Sequence, residues 1–278
     1  MCLSIYLSIY IYIYIYTSLI CSLYLATCIS HKLDVYQDWG VIISRVEKEM
    51  SFVRMKSLQL SELVASQLVS LLELNPRSNA VLTRGVCLLA VFQAENGCEI
   101  MKKELGNMTG VIVTTNGSHT TDLLSLLLPL KTTSTLDCCT CCVIKPHSVK
   151  SKSVGGILDI IIKQGYEVSA VDSFQFDKRA SEEFLEVYKG VVPEYSDHVV
   201  QLSSGNSVCL EIRAENAVEV FRTTAGPWDI DMAKELRPAS IRAKFALDKV
   251  RNAVHCTELA SDGQLECEYC FHIVAPSS

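Results

Sequence analysis

Short apolar runs alternate with amphipathic stretches along the second half of the chain. Four runs are continuous or alternating in the way that predicts strands: Thr140–Ile144, Tyr166–Phe176, Val208–Arg213 and Glu268–Val274. Three stretches have helical spacing: Gly155–Gln164, Ser181–Tyr188 and Ala217–Thr224. The order β-α-β-(helical segment)-β-α-β predicts an α+β fold of the ferredoxin-like βαββαβ kind, a sandwich of helices on an antiparallel sheet.

Two of the predicted helices carry signals at their ends. Gly165 follows the first helix, where a glycine C-cap is common because it adopts a left-handed backbone. Ser181 precedes Glu182 and Glu183, a pattern typical of a capping box at a helix N-terminus. The spacing therefore predicts a helix that begins at Ser181.

An internal repeat relates the two halves of the chain. The motif AENGCE at 94–99 recurs as AENAVE at 214–219, an offset of 120 residues. Further on, Asn116-x-x-His119 echoes Asn252-x-x-His255 at an offset of 136, which is 16 residues more. We therefore predict a truncated, degenerate copy at 45–135 and a complete domain at 138–274.

The first thirty residues contain no charged side chain and include four Ile-Tyr pairs at 9–16. By length they could span a membrane, but they lack the basic region and the clear cleavage site of a signal peptide. An A–T repeat read in triplets gives alternating Ile and Tyr codons, so we interpret 1–30 as a low-complexity gene-model artefact and leave it out of the fold. If it is translated, its alternation favours strands, and a membrane-anchored form is the alternative.

Charge and cysteine content narrow the function. A net charge of −6, with no run of Lys and Arg, argues against nucleic acid as the main partner. The thirteen cysteines are irregularly spaced, which does not fit a disulfide framework and favours a reducing compartment. Four of them crowd into 138–142, where a zinc site has no second ligand pair at a finger-like distance, so a buried, reduced strand is the favoured interpretation.

Three motifs follow one another in the second half: Lys145-Pro146-His147, Arg237-Pro238-x-Ser240-Ile241-Arg242 and Asn252-Ala253-Val254-His255-Cys256-Thr257-Glu258. Together, in this order, they resemble the signatures of the nucleoside diphosphate kinase family, and the tandem copies resemble its branch associated with centrosomes and ciliary axonemes. The resemblance implies a ferredoxin-like fold and ping-pong transfer of the γ-phosphate of an NTP to an NDP. A GxxxxGK[ST] P-loop is absent from the sequence, which disfavours a Walker-type ATPase.

The resemblance assigns the covalent step to His255. An imidazole nitrogen both accepts and releases phosphate readily, which splits the transfer into two halves. Glu266 lies eleven residues later, where the family places the carboxylate that hydrogen-bonds the other ring nitrogen. These two residues are the expected catalytic pair.

The resemblance also implies which residues bind the nucleotide. Lys145, Arg222 and Arg242 match the cations that contact the phosphates, where neutralisation of charge dominates the chemistry. Asn252 matches the asparagine that bonds the ribose, and Tyr195 matches the aromatic that stacks on the base. Mg²⁺ is expected to arrive with ATP or another NTP and to bridge phosphate oxygens, without a dedicated carboxylate cage.

Several positions depart from the family pattern. The family's Lys-Pro-Asp-Gly has His147 and Ser148 at its last two positions, and Cys256 follows the histidine where a glycine is usual. Leu185 stands where a tyrosine is usual, so we expect that hydroxyl to be lost. The segment 226–236 is longer than usual and offers no phosphate-binding threonine. The first copy lacks the Lys-Pro motif and the second arginine, so we expect it to be inert.

Two functions remain open from the sequence. The first is a nucleoside diphosphate kinase whose partners are nucleoside di- and triphosphates. The second is a catalytically weak scaffold module of cilia, axoneme or centrosome, which keeps the kinase fold and binds microtubule-associated proteins. In either case we expect a cytoplasmic or cytoskeletal protein, and the sequence leaves open whether it forms a homo-oligomer.

Overall fold

A computed structural model describes residues 20–26, 34–108, 110–114 and 117–275 of the protein. The Ile-Tyr repeat at 9–16 and Asn116 lie outside these residues. The chain divides into two compact units. One comprises the residues up to Tyr36 with Arg45–Arg54 and Leu58–Lys131, and the other comprises Gln37–Ser44, Met55–Ser57 and Thr132–Ser278.

The described residues of the first half of the chain form the strands β1 (Ile20–Ala26), β2 (Ser51–Leu58), β3 (Cys87–Gln93) and β4 (Val111–Val113). Their order in the sheet is β4-β1-β3-β2, and β1 runs antiparallel to both of its neighbours. The helices along this part of the chain are α1 (Trp39–Glu49), α2 (Glu62–Leu71), α3 (Ser78–Leu82), α4 (Gly97–Leu105) and α5 (Gly117–Leu127).

Strand β1 corrects the treatment of the first thirty residues. The sequence pattern excludes 1–30 from the fold and predicts that the first copy starts at 45, whereas Ile20–Ala26 pairs along its full length with β3. A charge-free segment of high strand propensity satisfies its backbone hydrogen bonds in this way. The excluded segment 1–30 therefore contains a strand of the sheet.

The internal repeat is visible in the backbone. Asn96 precedes α4 with φ 55° and ψ 29°, and Asn216, 120 residues later, precedes the matching helix with φ 52° and ψ 42°. Asparagine is one of the few side chains that tolerate this left-handed conformation. The second part of the repeat, which matches His119 with His255, is not seen in the backbone, because His119 lies inside α5 whereas His255 lies on a strand.

The second unit has strands β5 (Cys139–Ile144), β6 (Glu167–Phe174), β7 (Ser207–Arg213) and β8 (Val254–Cys256). Their order is β6-β7-β5-β8, and each of these neighbouring pairs is antiparallel. In chain order this is strand 2, 3, 1, 4, the arrangement of a ferredoxin-like sheet. The predicted α+β fold class is confirmed.

Helices cover the second unit between its strands. They are α6 (Pro146–Lys150), α7 (Val154–Lys163), α8 (Lys178–Phe184), α9 (Tyr195–Leu202), α10 (Ala217–Ala225), α11 (Ile230–Leu236), α12 (Ile241–Phe245) and α13 (Gly263–Glu268). The predicted helices at 155–164 and 217–224 are confirmed to within a residue at each end, and Gly165 has the expected positive φ of 86°. The capping prediction was wrong, because Asp177, four residues before Ser181, caps α8 through the amide of Ala180.

The predicted strand at 268–274 was also wrong. The chain forms α13 there and continues as a π-helical turn over Tyr269–Val274. Its buried residues are Cys267, Cys270, Phe271 and Val274, a spacing of i, i+3, i+4 and i+7 that belongs to a helix. The fourth strand is instead β8, a three-residue segment too short to stand out in the sequence.

Helix α13 approaches β5 closely at Gly263. A Cβ atom at this position would lie 2.4 Å from the carbonyl oxygen of Cys139 and 3.0 Å from Cγ2 of Val218. The missing side chain therefore sets the distance between helix and strand. Among the described residues, no helix combines the length and apolar character that a membrane span requires.

We predict that Gly263→Ala lowers the free energy of unfolding by about 1–3 kcal/mol, because the added methyl group meets a strand backbone that cannot yield easily. Urea unfolding followed by circular dichroism measures the change. The control is Gly205→Ala, whose Cβ would meet chiefly the flexible end of Lys150 at 3.3 Å. Equal losses in the two variants would contradict this account of the packing.

Candidate active site

Strand β8 presents His255 at the edge of the second unit's sheet. The Nε2 atom of this histidine lies 2.8 Å from Oε2 of Glu266, and the same oxygen accepts a hydrogen bond from the Thr257 hydroxyl at 2.8 Å. In a neutral imidazole the Nε2–H donates to the carboxylate, which leaves the lone pair on Nδ1. The two residues paired from their spacing are therefore in contact, and Nδ1 is the ring nitrogen that keeps a lone pair.

Aromatic rings form the walls around this imidazole. Phe184 packs edge-on at 4.8 Å between ring centroids, and Tyr188 at 6.1 Å. The Tyr188 hydroxyl is buried without a hydrogen-bond partner, and burial with nearby Glu266 raises its pKa. Leu185 stands where the family usually has a tyrosine, and its side chain offers no hydroxyl; Tyr188, three residues later, packs its own ring against His255.

Lys145 lies at the end of β5 with its amine buried. Its Nζ atom contacts Nδ1 of His198 at 3.3 Å and the carbonyl oxygen of Val250 at 3.2 Å. Burial and the guanidinium of Arg242 lower the pKa of Lys145 to about 7. Burial and Lys145 likewise lower the pKa of His198 to about 4, so this neutral ring accepts the lysine's hydrogen bond.

The two arginines differ in their surroundings. Arg242 is buried, and its terminal nitrogens donate to the carbonyl oxygens of Gly226 at 2.7 Å and Val254 at 3.2 Å, while its Nε atom has no partner. Arg222 is half exposed and pairs with Glu258, with 2.6 Å between Nη2 and Oε2. One guanidinium is thus fixed by backbone carbonyls and the other by a carboxylate.

Asn252 and Tyr195 complete the predicted set. The Asn252 side chain is fully buried, and neither its amide nitrogen nor its amide oxygen has a hydrogen-bond partner. Tyr195 opens α9, and its hydroxyl donates to the carbonyl oxygen of Glu182 at 3.3 Å. Its ring lines the same small pocket as Lys145 and His255.

The turn before His255 explains one departure from the family pattern. Ala253 has a φ of 71°, which a residue with a Cβ rarely adopts. Its amide donates to Nε2 of His147 at 3.2 Å, and its carbonyl oxygen accepts from the amide of Lys145 and the hydroxyl of Ser148. Burial and Lys145 lower the pKa of His147 to about 4, which favours the neutral ring, and the Ala253 amide requires that Nε2 is its acceptor nitrogen. The residues that replace Asp-Gly therefore hold the strained turn.

Trp228 divides the space around these residues. On one side is a cleft of about 410 Å³ lined by Arg222, Arg237, Arg242 and Glu258, among others. On the other is an enclosed pocket of about 10 Å³, bordered by His255, Lys145, Tyr188, Tyr195 and His198. That volume is at the lower limit for one water molecule. His255, with 2% of its side chain exposed, lines the small pocket and does not line the cleft.

Sequence reasoning missed Trp228, Tyr188 and His198. The only sequence signal was the unusual length of 226–236, which includes Trp228. The other two positions belong to a stretch whose helices were predicted with wrong limits or not predicted. What joins the three is packing: Trp228 lies 5.7 Å from the Tyr188 ring and 5.1 Å from the His198 ring.

One set of described side chains could hold a metal ion: Cys139, Glu211 and Cys267. All three are buried, and Glu211 already accepts hydrogen bonds from the amides of Thr135 and Leu136. The pKa of Cys139 is raised by its hydrogen bond to Cys267 and by burial, which favours the thiol over the thiolate that a metal requires. Such thiols do not suit Mg²⁺, which prefers oxygen ligands.

Comparison with known proteins identifies the class. A family model described as nucleoside diphosphate kinase matches residues 139–274. The chain is 32% identical to the nucleoside diphosphate kinase of Aquifex aeolicus over 129 residues, covering 46% of this chain and 90% of that protein. It is 38% identical to the nucleoside diphosphate kinase of Ignicoccus hospitalis over 116 residues, which cover 42% of this chain and 76% of that protein. The chain belongs to the nucleoside diphosphate kinase family.

Within that family, the chain is similar to the rat protein named nucleoside diphosphate kinase homolog 7. The identity is 48% over 136 residues, which covers 49% of this chain and 34% of the rat protein. The chain therefore spans about a third of the length of this relative. A crystal structure of the Aquifex aeolicus enzyme covers 48% of this chain and 94% of its own, with 32% identity and a TM-score of 0.46.

The buried amine of Lys145 gives a prediction for stability. Its pKa falls from the usual 10.5 to about 7 in the folded protein. Below pH 7 the amine is charged in both the folded and the unfolded protein, so the full cost of burying its charge lowers the free energy of unfolding. Above pH 7 the folded protein releases the proton first, so the free energy of unfolding rises with pH.

We therefore expect Lys145→Met to be more stable than the wild type at pH 6. The difference should shrink by about 1.4 kcal/mol per pH unit between pH 7 and 8.5. Urea unfolding of both proteins across this pH range measures the difference in their free energies of unfolding. Groups that titrate in both proteins contribute equally and cancel in this difference. A difference independent of pH would contradict the lowered pKa.

Proposed function

We propose that residues 139–274 act as a nucleoside diphosphate kinase, which passes the γ-phosphate of an NTP to an NDP through His255. The observation that carries the proposal is the contact of 2.8 Å between His255 and Glu266, which leaves Nδ1 with its lone pair. Lys145 borders the same pocket as His255, and Arg242 lines the cleft that also contacts Trp228. A nucleophile with an orienting carboxylate and nearby cations suits phosphoryl transfer.

The first half-reaction forms a bond between Nδ1 and the γ-phosphorus. The bond from that phosphorus to the β,γ-bridging oxygen breaks, and the NDP leaves with the electron pair. Glu266 keeps the Nε2 proton in place and stabilises the positive charge that develops on the ring. In the second half-reaction, a terminal phosphate oxygen of another NDP attacks the phosphorus and Nδ1 recovers its lone pair.

Lys145, Arg222 and Arg242 are proposed to neutralise the phosphate oxygens. An anion beside Lys145 favours its charged form and so reverses the lowering of its pKa by burial. Arg222 would release the Glu258 carboxylate and bind phosphate oxygens instead, because a guanidinium can form bidentate hydrogen bonds with either group. Mg²⁺ bound by the nucleotide would supply further positive charge beside the β- and γ-phosphates.

Unpartnered polar atoms support a polar ligand at this site. The amide nitrogen and oxygen of Asn252, Nε of Arg242, Nε2 of His198 and the hydroxyl of Tyr188 are all buried without a hydrogen bond. Buried polar atoms are nearly always paired in folded proteins. A nucleotide that offers phosphate and ribose oxygens would pair several of them, with Asn252 directed to the ribose and Tyr195 to the base.

The scaffold function remains the second candidate, because the pocket in front of His255 is closed. A module of this kind would keep the fold, bind partners of the cytoskeleton and phosphorylate itself at most. The cytoplasmic or axonemal location and the inert first copy stay predictions from the sequence, and the question of a homo-oligomer stays open.

The test is incubation with ATP labelled at the γ-phosphate, in the presence of Mg²⁺. We expect a protein-bound phosphate that is labile in acid and stable in base, and that moves to an added NDP. His255→Ala should abolish the label, whereas the control His272→Ala, an exposed histidine beside Ser134, should keep it. A label that is never transferred onward would favour the scaffold, and no label at all would refute the kinase.

We predict that Glu266→Gln slows the labelling of His255 by about tenfold or more, because the neutral amide no longer fixes the tautomer or stabilises the charged ring. Rapid-quench labelling measures the rate. Glu268→Gln changes an exposed carboxylate two residues away and should label at the wild-type rate. Equal rates in both variants would show that Glu266 does not orient the imidazole.

A further inference from the structure

We propose that Trp228 is a gate, which closes the site by covering Lys145 and Arg242 and which the phosphate chain of a nucleotide displaces. This inference rests on the proposed function and concerns the regulation of the same site. It follows from the position of the indole, from the two cations on its face and from the size of the space behind it.

The position of Trp228 makes it the wall between two spaces. Its side chain borders both the open cleft, with Arg222 and Arg242, and the enclosed pocket, with Lys145 and His255. An NTP that enters from the cleft must bring its γ-phosphate to Nδ1 of His255. Because Trp228 lines both spaces, its indole lies on that route.

The contacts of the indole explain why the closed state forms. The Lys145 amine lies 5.7 Å from the ring centroid and the Arg242 guanidinium lies 5.3 Å from it. These are cation–π distances, so the ring's electron-rich face partly replaces the anion that both cations lack. Tyr188 and His198 pack against the same ring and hold it in place.

The same contacts determine what opens the gate. A phosphate oxygen forms charge-assisted hydrogen bonds with a lysine or an arginine, which are stronger than a contact with an aromatic face. A polyphosphate therefore competes for Lys145 and Arg242, and the indole loses the contacts that hold it. A nucleoside without phosphates offers no such competition. The ligand class that opens the gate is thus the polyphosphate part of the nucleotide.

The space behind the ring shows that opening is required. A pocket of about 10 Å³ accepts at most one water molecule and cannot accept a phosphoryl group. The cleft of about 410 Å³ outside the ring is large enough to receive the phosphate chain first. Because only the open fraction binds productively, the closed state weakens the apparent affinity for nucleotide by that fraction.

Fluorescence tests the gate directly, because the chain has two tryptophans and the other, Trp39, is fully buried. In a Trp39→Phe background, Trp228 is the sole reporter. We expect tripolyphosphate and ADP with Mg²⁺ each to shift its emission to longer wavelength and to increase its quenching by acrylamide, as the ring moves into water. Adenosine should cause neither change. An equal response to adenosine, or no response to any of the three, would overturn the proposal.

Substitution provides the second test. Trp228→Ala should bind ADP about tenfold more tightly than the wild type, equivalent to about 1.4 kcal/mol, and should label faster with ATP. Trp39→Phe should bind and label as the wild type does. Weaker binding or slower labelling in Trp228→Ala would instead make Trp228 a nucleotide-binding residue and end the gate proposal.

The two proposals fail separately. If neither the wild type nor Trp228→Ala is labelled, while tripolyphosphate still shifts Trp228 fluorescence, the gate stands and the kinase function is lost. If the wild type and Trp228→Ala are both labelled and transfer phosphate, while tripolyphosphate leaves the Trp228 fluorescence unchanged, the kinase function is supported and the gate proposal is refuted.

Discussion

Two buried cations without a buried anion are the constraint around which this site is organised. Lys145 and Arg242 are each almost fully buried, and neither forms an ion pair among the described residues. Taking a charge out of water is costly unless something compensates for it. Here the compensation comes from carbonyl oxygens, a neutral histidine and an indole face, and the lowered pKa of Lys145 shows that it is incomplete.

The fold supplies these partial compensations from separate elements. The end of β5 carries Lys145, α12 carries Arg242, and β8 carries His255 at the edge of the sheet. Helix α13 then approaches β5 through Gly263, which places Glu266 within hydrogen-bond distance of His255. A helix that stood further from the strand would leave the imidazole without its carboxylate. The packing of one glycine and the chemistry of one histidine are therefore linked.

The sequence predicted the parts of the structure that local pattern determines. Strands β5, β6 and β7 and helices α7 and α10 have the periodicity of their class, and motif spacing correctly paired His255 with Glu266. The sequence did not predict that Glu268–Val274 is helical, because its period becomes clear only when Cys267 in the preceding helix is included. Strand β8 was missed since three residues carry no period.

The remaining misses concern packing between segments distant in the sequence. Tyr188 packs its ring against His255, and Trp228 lines both the cleft and the small pocket that contains this histidine; neither position has a motif of its own. Strand β1 was excluded because low complexity was interpreted as a sign of artefact, although its composition favours a strand. Local pattern thus predicts the contact between His255 and Glu266 but not the aromatic packing around it.

The energetic cost of this site helps to distinguish the two candidate functions. A purely structural module gains nothing from a strained Ala253, from the unpartnered amide of Asn252 or from a lysine held near its neutral form. Each of these features destabilises the fold, and apolar residues of similar size could replace the buried charges at no loss of stability. Strain and unsatisfied groups that cluster at one place are characteristic of functional sites. A polyanionic ligand would relieve the charges and the unpaired amide together, and the nucleotide of the kinase function is such a ligand.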